Sequence, residues 1–288
     1  MDSNIKRKIE QILNDPISYT NRVGGGCISG TQWLQTESGK QFFVKHGLQN
    51  DDMFFCESNA LYELSKARVI RIPNVIAVES DFLILENIER GKQGASFFSD
   101  FGRKFARLHR FHSNKNGFYE NNYIGSTPQI NIAEKDEVSD WIAFYFNKRL
   151  LFQFRLAEKN GYVSSSFRND FLQLENNIQN ILQGSEEQPS LLHGDLWSGN
   201  FLCDEKGAVV LIDPAVYYGH READLAMTRL FGGFSPEFYL AYEEEFPLKE
   251  GWEYRENIYR LYHVLNHLNL FGKAYLAEAE YIVRMYVK

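Results

Sequence analysis

Two carboxylates and one amide stand at spacings that suit phosphoryl transfer. In Leu192-His193-Gly194-Asp195-Leu196-Trp197-Ser198-Gly199-Asn200, Asp195 precedes Asn200 by five positions, and Asp213 closes the apolar run Val209-Val210-Leu211-Ile212 thirteen residues beyond Asn200. Moving a phosphoryl group onto a hydroxyl requires a carboxylate to accept the proton, and hard oxygen ligands to hold Mg²⁺ against the β- and γ-phosphates of ATP. Asp195 fits the base; Asn200 and Asp213 fit the metal. Either aspartate alone reads equally well as a turn cap or a hairpin end, but the three in order and in register argue for a site. His193 titrates near neutrality and is the competing base, although two residues before the carboxylate it suits bracing of the backbone.

The Asp-to-Asn interval matches the protein-kinase pattern H-R-D-L-x-x-x-N, and a strand ending in aspartate is where that fold keeps its second metal ligand. Such a site also needs a phosphate cover and a lysine, and both stand upstream in the right order. Gly24-Gly25-Gly26-Cys27-Ile28-Ser29-Gly30 departs from G-x-G-x-x-G, because Ser29 stands where the last glycine would be; alone it reads as a flexible turn. Lys45 ends Phe42-Phe43-Val44-Lys45, as the phosphate-pairing lysine of V-A-I-K does. Its expected partner is Glu57, four residues after Met53 and four before Leu61, hence within the apolar stripe of a helix that leaves Glu63 outside. An inward carboxylate needs a countercharge, and Lys45 supplies it while aiming at the phosphates. Further on, Leu83-Ile84-Leu85 runs out into Glu86, Asn87 and Ile88, the expected hinge whose backbone would meet an adenine edge. Position alone supports that hinge, and a surface turn explains it equally well.

These residues require a strand-rich first part and a helical second part. An amphipathic helix is expected near 4–14, a β-meander from Tyr19 to His46, and a helix over 51–66 with Met53, Ala60, Leu61 and Leu64 on one stripe. Strands follow at Val75 to Val78 and Phe82 to Leu85. Beyond Gly91 the periodicity turns helical: Phe98, Phe101, Phe105, Leu108 and His112 share a face, and Trp141 to Leu156 is one aromatic, amphipathic stretch. Leu191 to Asp213 is the exception, with two short apolar strands about a Gly-Asp and a Lys-Gly turn. The expected architecture is α+β, a bilobal protein-kinase-like fold. Residues 1–88 form an N-terminal antiparallel β-sheet lobe with one helix and the hinge. Residues 89–288 form a mainly α-helical C-terminal lobe with the catalytic loop and acceptor pocket.

With 288 residues, 44% of them hydrophobic, the chain can bury one large core or two packed lobes. A formal charge of −7 without a Lys/Arg cluster argues against a nucleic-acid partner. No apolar h-region follows Met1 and no run is long enough to span a bilayer, so no membrane partner and a cytoplasmic location are expected. Cys27, Cys56 and Cys203 are far apart and lack metal-ligand spacing, which excludes a disulfide framework and a zinc site.

Protein kinases place a peptide-docking segment before an A-P-E motif, and Ser235-Pro236-Glu237 stands at a suitable distance from Asp213. Yet Pro214-Ala215 replaces Phe-Gly, and Glu222-Ala223-Asp224-Leu225-Ala226 starts a helix only a few residues later. That short connection favours a small acceptor, and Asp224 reads as a brace for the catalytic-loop backbone. The segments Leu192 to Asn200, Asp213 to Ala226, Phe231-Gly232-Gly233-Phe234 and Leu261 to Gly272 resemble the fructosamine kinase family. The likeness runs from Gly24 to the last helix, and Trp197 makes the catalytic loop more specific than His-Gly-Asp alone.

The resemblance implies an ATP-dependent phosphotransferase acting on the 3-hydroxyl of fructosamines or ribulosamines in deglycation, related in fold to aminoglycoside and choline kinases. A kinase of another small alcohol is the alternative; a nucleotide-binding module without turnover is a third reading. Trp197 is the expected acceptor platform. His263, Asn266 and His267, at i, i+3 and i+4 with Trp252 near in sequence, either line the acceptor pocket or bond their helix to its neighbours. Cys27, inside the glycine run and in the field of Lys45, is a candidate redox site, although a small residue tolerated in a tight loop explains it as well. The resemblance implies that some relatives pair a cysteine there between protomers, so a monomer or a redox-dependent dimer is expected.

Overall fold

The computed structural model describes residues 1–22, 30–47 and 52–287. In chain order its elements begin α1 (Ser3–Leu13), β1 (Ile17–Arg22), β2 (Gly30–Thr36), β3 (Gln41–His46), α2 (Met53–Ser65), β4 (Val75–Val78) and β5 (Phe82–Glu86). Next come α3 (Phe97–Leu108), β6 (Asn122–Ile124), β7 (Thr127–Gln129), α4 (Trp141–Tyr145), α5 (Phe152–Lys159) and α6 (Ser165–Leu182). The chain closes with β8 (Ser190–Leu192), β9 (Phe201–Cys203), β10 (Val209–Leu211), β11 (Tyr217–Gly219), α7 (Glu222–Leu230), α8 (Pro236–Glu245), α9 (Trp252–Phe271) and α10 (Leu276–Met285). Met1–Phe97 with Asn200–Pro214 make one compact unit, and Phe98–Gly199 with Ala215–Lys288 another.

The first unit is built on a five-stranded antiparallel sheet ordered β1-β2-β3-β5-β4. Successive strand side chains point to opposite faces, so the unbroken apolar run of β5 buries both. Phe82 and Ile84 join Ile17, Leu34 and Val44 under Ile5 and Ile9 of α1. Leu83 and Leu85 pack on Phe54 and Leu61 of α2. α1 starts at Asp2, whose carboxylate accepts from the Asn4 and Ile5 amides at 2.8 and 2.9 Å, and ends on Asn14 in the left-handed region. In α2 the expected stripe of Met53, Ala60, Leu61 and Leu64 is buried.

Glu63 corrects that stripe: it is only 6% exposed, because Lys66, three residues on, covers its carboxylate and donates to it at 2.7 Å. The β9–β10 hairpin, assigned from sequence to the C-terminal part, folds with the first unit. Arg71 ties it there, donating to Glu86 at 2.5 Å, Asp204 at 2.8 Å and Glu205 at 3.2 Å, while its carbonyl accepts from the Leu211 amide.

The second unit is helical around α9, whose Ile258, Tyr259, Leu261, Tyr262, Val264, Leu265 and Leu268 are buried and which packs on α7 and α10. Phe101, Phe105 and Leu108 are buried as the helical period requires, but α3 ends before His112, which bridges to Ser190. The single helix expected over Trp141 to Leu156 is split by a π-helical turn, Phe146–Leu151, which turns Arg149 inward among Phe144, Tyr217 and Tyr262. Nor do the apolar runs flanking the Gly-Asp turn pair with each other: β8 pairs with β11, and β9 with β10. Among the described residues no helix is long and apolar enough to cross a membrane.

Candidate active site

Lys45 leaves β3 as a buried ammonium and meets two carboxylates. Its Nζ donates to Glu57 Oε1 at 2.6 Å and to Asp213 Oδ1 at 2.5 Å. Burial works against the charged amine, but the flanking charges of Asp213 and Glu57 outweigh it and raise its pKa. The helical spacing that placed Glu57 inward is thus matched by a partner.

Asp213 takes a left-handed backbone, with φ at 55°, two residues after the end of β10. That conformation is uncommon for a residue with a Cβ, and such outliers gather at functional sites. Asn200, buried, accepts at its carbonyl from the Ile212 amide at 3.1 Å, which sets it beside the Asp213 segment. One lysine against two carboxylates leaves a local excess of negative charge, and the Asp213 side chain is 43% exposed. An amide oxygen and a carboxylate are the hard donors Mg²⁺ takes when phosphates fill the remaining positions, so the pair fits the ion.

In the second unit the catalytic loop hangs on Asp224 of α7. Its carboxylate accepts the His193 amide at 2.6 Å and the Gly194 amide at 2.7 Å. His109, in the turn that follows α3, bonds the same carboxylate at 3.2 Å through Nε2 and Tyr242 at 2.7 Å through Nδ1. Burial alone would raise the Asp224 carboxyl, but the His109 bond and the loop amides hold it below its ordinary value. Gly194 has φ at +82°, and a Cβ there would lie 1.9 Å from the Ala215 carbonyl oxygen, so only glycine fits. His193 is buried, and its Nδ1 accepts from the Asp195 amide at 3.3 Å, the bracing role expected of it. Asp195 itself is half-buried.

Trp197 is half-buried and meets Phe231 edge-on at 5.4 Å; Phe231 in turn meets His267 at 5.2 Å. The space beside Gly199 is taken by the Trp197 indole, which a Cβ would approach to 2.4 Å. The helix-face set divides. Asn266 accepts from Gln153 of α5 at 3.1 Å, and His263 is buried with its pKa pushed down to about 3 by that burial, so both belong to the interior of the helices. His267 alone of the three reaches the ring cluster. Trp252, first residue of α9, lies half-buried under the Arg229 guanidinium at 5.1 Å.

Where the hinge was expected, the Glu86 amide donates to the Asn74 carbonyl at 2.9 Å and its carboxylate is held by Arg71 and Asn74, while Asn87 donates to Gln41 at 3.1 Å. Ile88 is buried. Gly24, Gly25, Gly26 and Cys27 lie outside the described residues. Cys56 and Cys203 are buried free thiols. Sequence reasoning missed Arg71, His109 and Phe231. An arginine before a strand and a histidine after a helix carry no local signal; Phe231 stands in the Phe231-Gly232-Gly233-Phe234 segment that carried the resemblance, although no site role was read for it.

The fructosamine kinase family profile matches residues 1–288. A chloroplastic protein-ribulosamine 3-kinase of Oryza sativa subsp. indica is 39% identical over 283 residues, covering 94% of this chain and 80% of the rice protein. A probable ketoamine kinase of Enterococcus faecium is 37% identical over 265 residues, covering 91% and 92%. Among solved structures, a candidate fructosamine-3-kinase of Thermobifida fusca superposes with a TM-score of 0.87 at 28% identity, covering 99% of this chain and 98% of that one. An ADP-bound aminoglycoside phosphotransferase, APH(2″)-Ib, has a TM-score of 0.67 at 14% identity with both chains fully covered, a likeness of fold.

Proposed function

Since the chain belongs to the fructosamine kinase family, we propose that it transfers the γ-phosphate of ATP to the 3-hydroxyl of a ketosamine, a fructosamine or ribulosamine adduct. The observation that carries the reading is the Lys45–Glu57–Asp213 cluster, in which a buried lysine meets two carboxylates from other elements, as a phosphate-directed lysine, its anchor and a metal ligand would. Lys45, held by Glu57, pairs with the phosphates; Asp195 accepts the proton of the acceptor hydroxyl. Asn200 and Asp213 would hold Mg²⁺, which supplies charge neutralisation at the phosphates when bound. Gly24 to Gly26 cover the phosphates, the backbone of Glu86 to Ile88 receives the adenine, and Trp197 takes the sugar with His267 toward its amine. Nucleotide binding falls to residues 1–88 and acceptor binding to 89–288. A cytoplasmic enzyme that repairs sugar-modified amines fits this chemistry.

An ATP-consumption screen against fructosyl-lysine, ribulosyl-lysine, choline, glycerol and an aminoglycoside tests the acceptor, and phosphorus–proton NMR of the product locates the phosphate. Turnover of a ketosamine with phosphate on the 3-oxygen is expected. Phosphate on another oxygen, or brisk turnover of choline beside inert ketosamines, would overturn the reading. Oxidation at Cys27 is the proposed route to a dimer: mild peroxide should crosslink wild type and spare Cys27→Ala on non-reducing gels, and crosslinking in both would refute it.

A further inference from the structure

Trp197 is the first of a row of rings that continues well past the catalytic loop. After the Trp197–Phe231 and Phe231–His267 contacts, His267 meets Phe271 at 5.4 Å and Tyr275 at 5.2 Å. Exposure alternates along the row: Trp197, His267 and Tyr275 are half-buried, whereas Phe231 is 40% exposed and Phe271 54%. Exposed aromatics in a continuous row mark a binding surface more than scattered apolar residues do. Trp197 stands two residues after Asp195, so the row begins beside the proposed base. Three ring-to-ring steps of 5.2–5.4 Å reach beyond a single hexose. A sugar seated at Trp197 therefore leaves the outer rings without an occupant.

A ketosamine supplies one. Its sugar is joined through a secondary ammonium to the rest of an amine, and ring faces accept an ammonium and an alkyl chain alike. His267 donates its Nδ1–H to the His263 carbonyl at 2.7 Å, and burial lowers its pKa, so it offers a neutral ring that does not repel the cation. Glu278, whose charge acts on His267, is already paired with Arg260 at 2.9 Å. No ring of the row carries a positive charge to pair with a carboxylate, such as an amino acid bearing the sugar on its α-amine would bring.

We propose that Phe231, Phe271 and Tyr275 form a ledge for the amine carrier, which selects ketosamines borne on the aliphatic stem of a peptide lysine over those borne on a small polar amine. This rests on the ketosamine reading above. The test compares kcat/KM for an Nε-fructosyl-lysine in a short blocked peptide with that for fructosyl-glycine, in wild type, Phe271→Ala, Phe271→Leu and Tyr275→Ala. The expected ratio favours the peptide in wild type and falls about five- to tenfold in each alanine variant, through a higher KM for the peptide, with Phe271→Leu restoring most of it. A ratio that stays within twofold in both alanine variants while both substrates turn over overturns the ledge and leaves the ketosamine reading standing. No turnover of either substrate by wild type overturns both.

Discussion

At Lys45 one cation faces two anions, and the arrangement separates the work of the two carboxylates. Glu57 anchors the lysine, while part-exposed Asp213 is open to a further cation. Replacing Glu57 by Gln leaves Lys45 with Asp213, so the stability loss should stay near the ~1–3 kcal/mol of a broken buried hydrogen bond, below the ~3–5 kcal/mol of an orphaned buried charge. The KM for ATP should rise about tenfold, with kcat less affected; an unchanged KM would remove Glu57 from the site. Because the Lys45 pKa is raised, the stability its pairing contributes is complete below the unfolded-lysine value near ~10.4 and is lost only as pH climbs past it, so assays near neutrality should not register it. Asp195→Asn should keep nucleotide affinity and lose roughly 10²–10⁴ in turnover, whereas Asp213→Ala should lose the Mg²⁺-dependent part of nucleotide affinity in calorimetry. Near-wild-type turnover of Asp195→Asn would pass the base assignment to His193.

The catalytic loop as an element is held from behind by α7. Both Asp224 oxygens are engaged by loop amides, so Asp224→Asn would turn an NH₂ group toward one of two buried N–H donors. A stability loss of about 1–3 kcal/mol and a fall of about 10² in kcat with little change in KM for ATP are expected. Turnover within threefold of wild type would show that the loop keeps its shape unaided. This loop was legible in the sequence because its chemistry is contiguous: base, turn glycine and amide lie within a few residues, and only the brace is remote. Glu57 was legible because helical period puts it inward, whereas Glu63 was misread because period ignores a lysine one turn on that can cover a buried carboxylate. The π-helical turn escaped notice for a similar reason, since one extra residue in a turn leaves a dense aromatic stretch looking amphipathic throughout. Arg71 and His109 act across more than a hundred residues, on Asp204 and Asp224, and no local pattern carries such a pairing.

At the scale of the molecule, the helical unit buries several histidines that are held neutral. His220 and His263 are buried, their pKa values are pushed down to about 3 chiefly by that burial, and neither Nδ1 has a hydrogen-bond partner among the described residues. His109, in the same unit, is lowered by burial as well, against the opposing pull of Asp224. In the unfolded chain each imidazole takes up a proton near pH ~6.5. A depressed folded value means that the stability is complete above that pH and is lost as pH falls toward the folded value. Between pH 6.5 and 5 the loss should approach ~2 kcal/mol for each of His220 and His263, a large share of the ~5–15 kcal/mol that holds a domain together. Urea unfolding at pH 7.5, 6.5, 5.5 and 5.0 measures it; ordinary carboxylates remain ionised above pH 5.5, and a His263 variant separates the imidazole from Glu57, Glu222 and Glu256, whose carboxyls burial raises. His263→Gln should be somewhat less stable than wild type at pH 7.5, since it trades a packed ring for an amide, yet it should show a shallower decline with acid because one titrating group is gone. If the two proteins lose stability in parallel from pH 7.5 to 5.5, then His263 is protonated in the folded state as readily as in the unfolded one, and the acid sensitivity must arise from other groups.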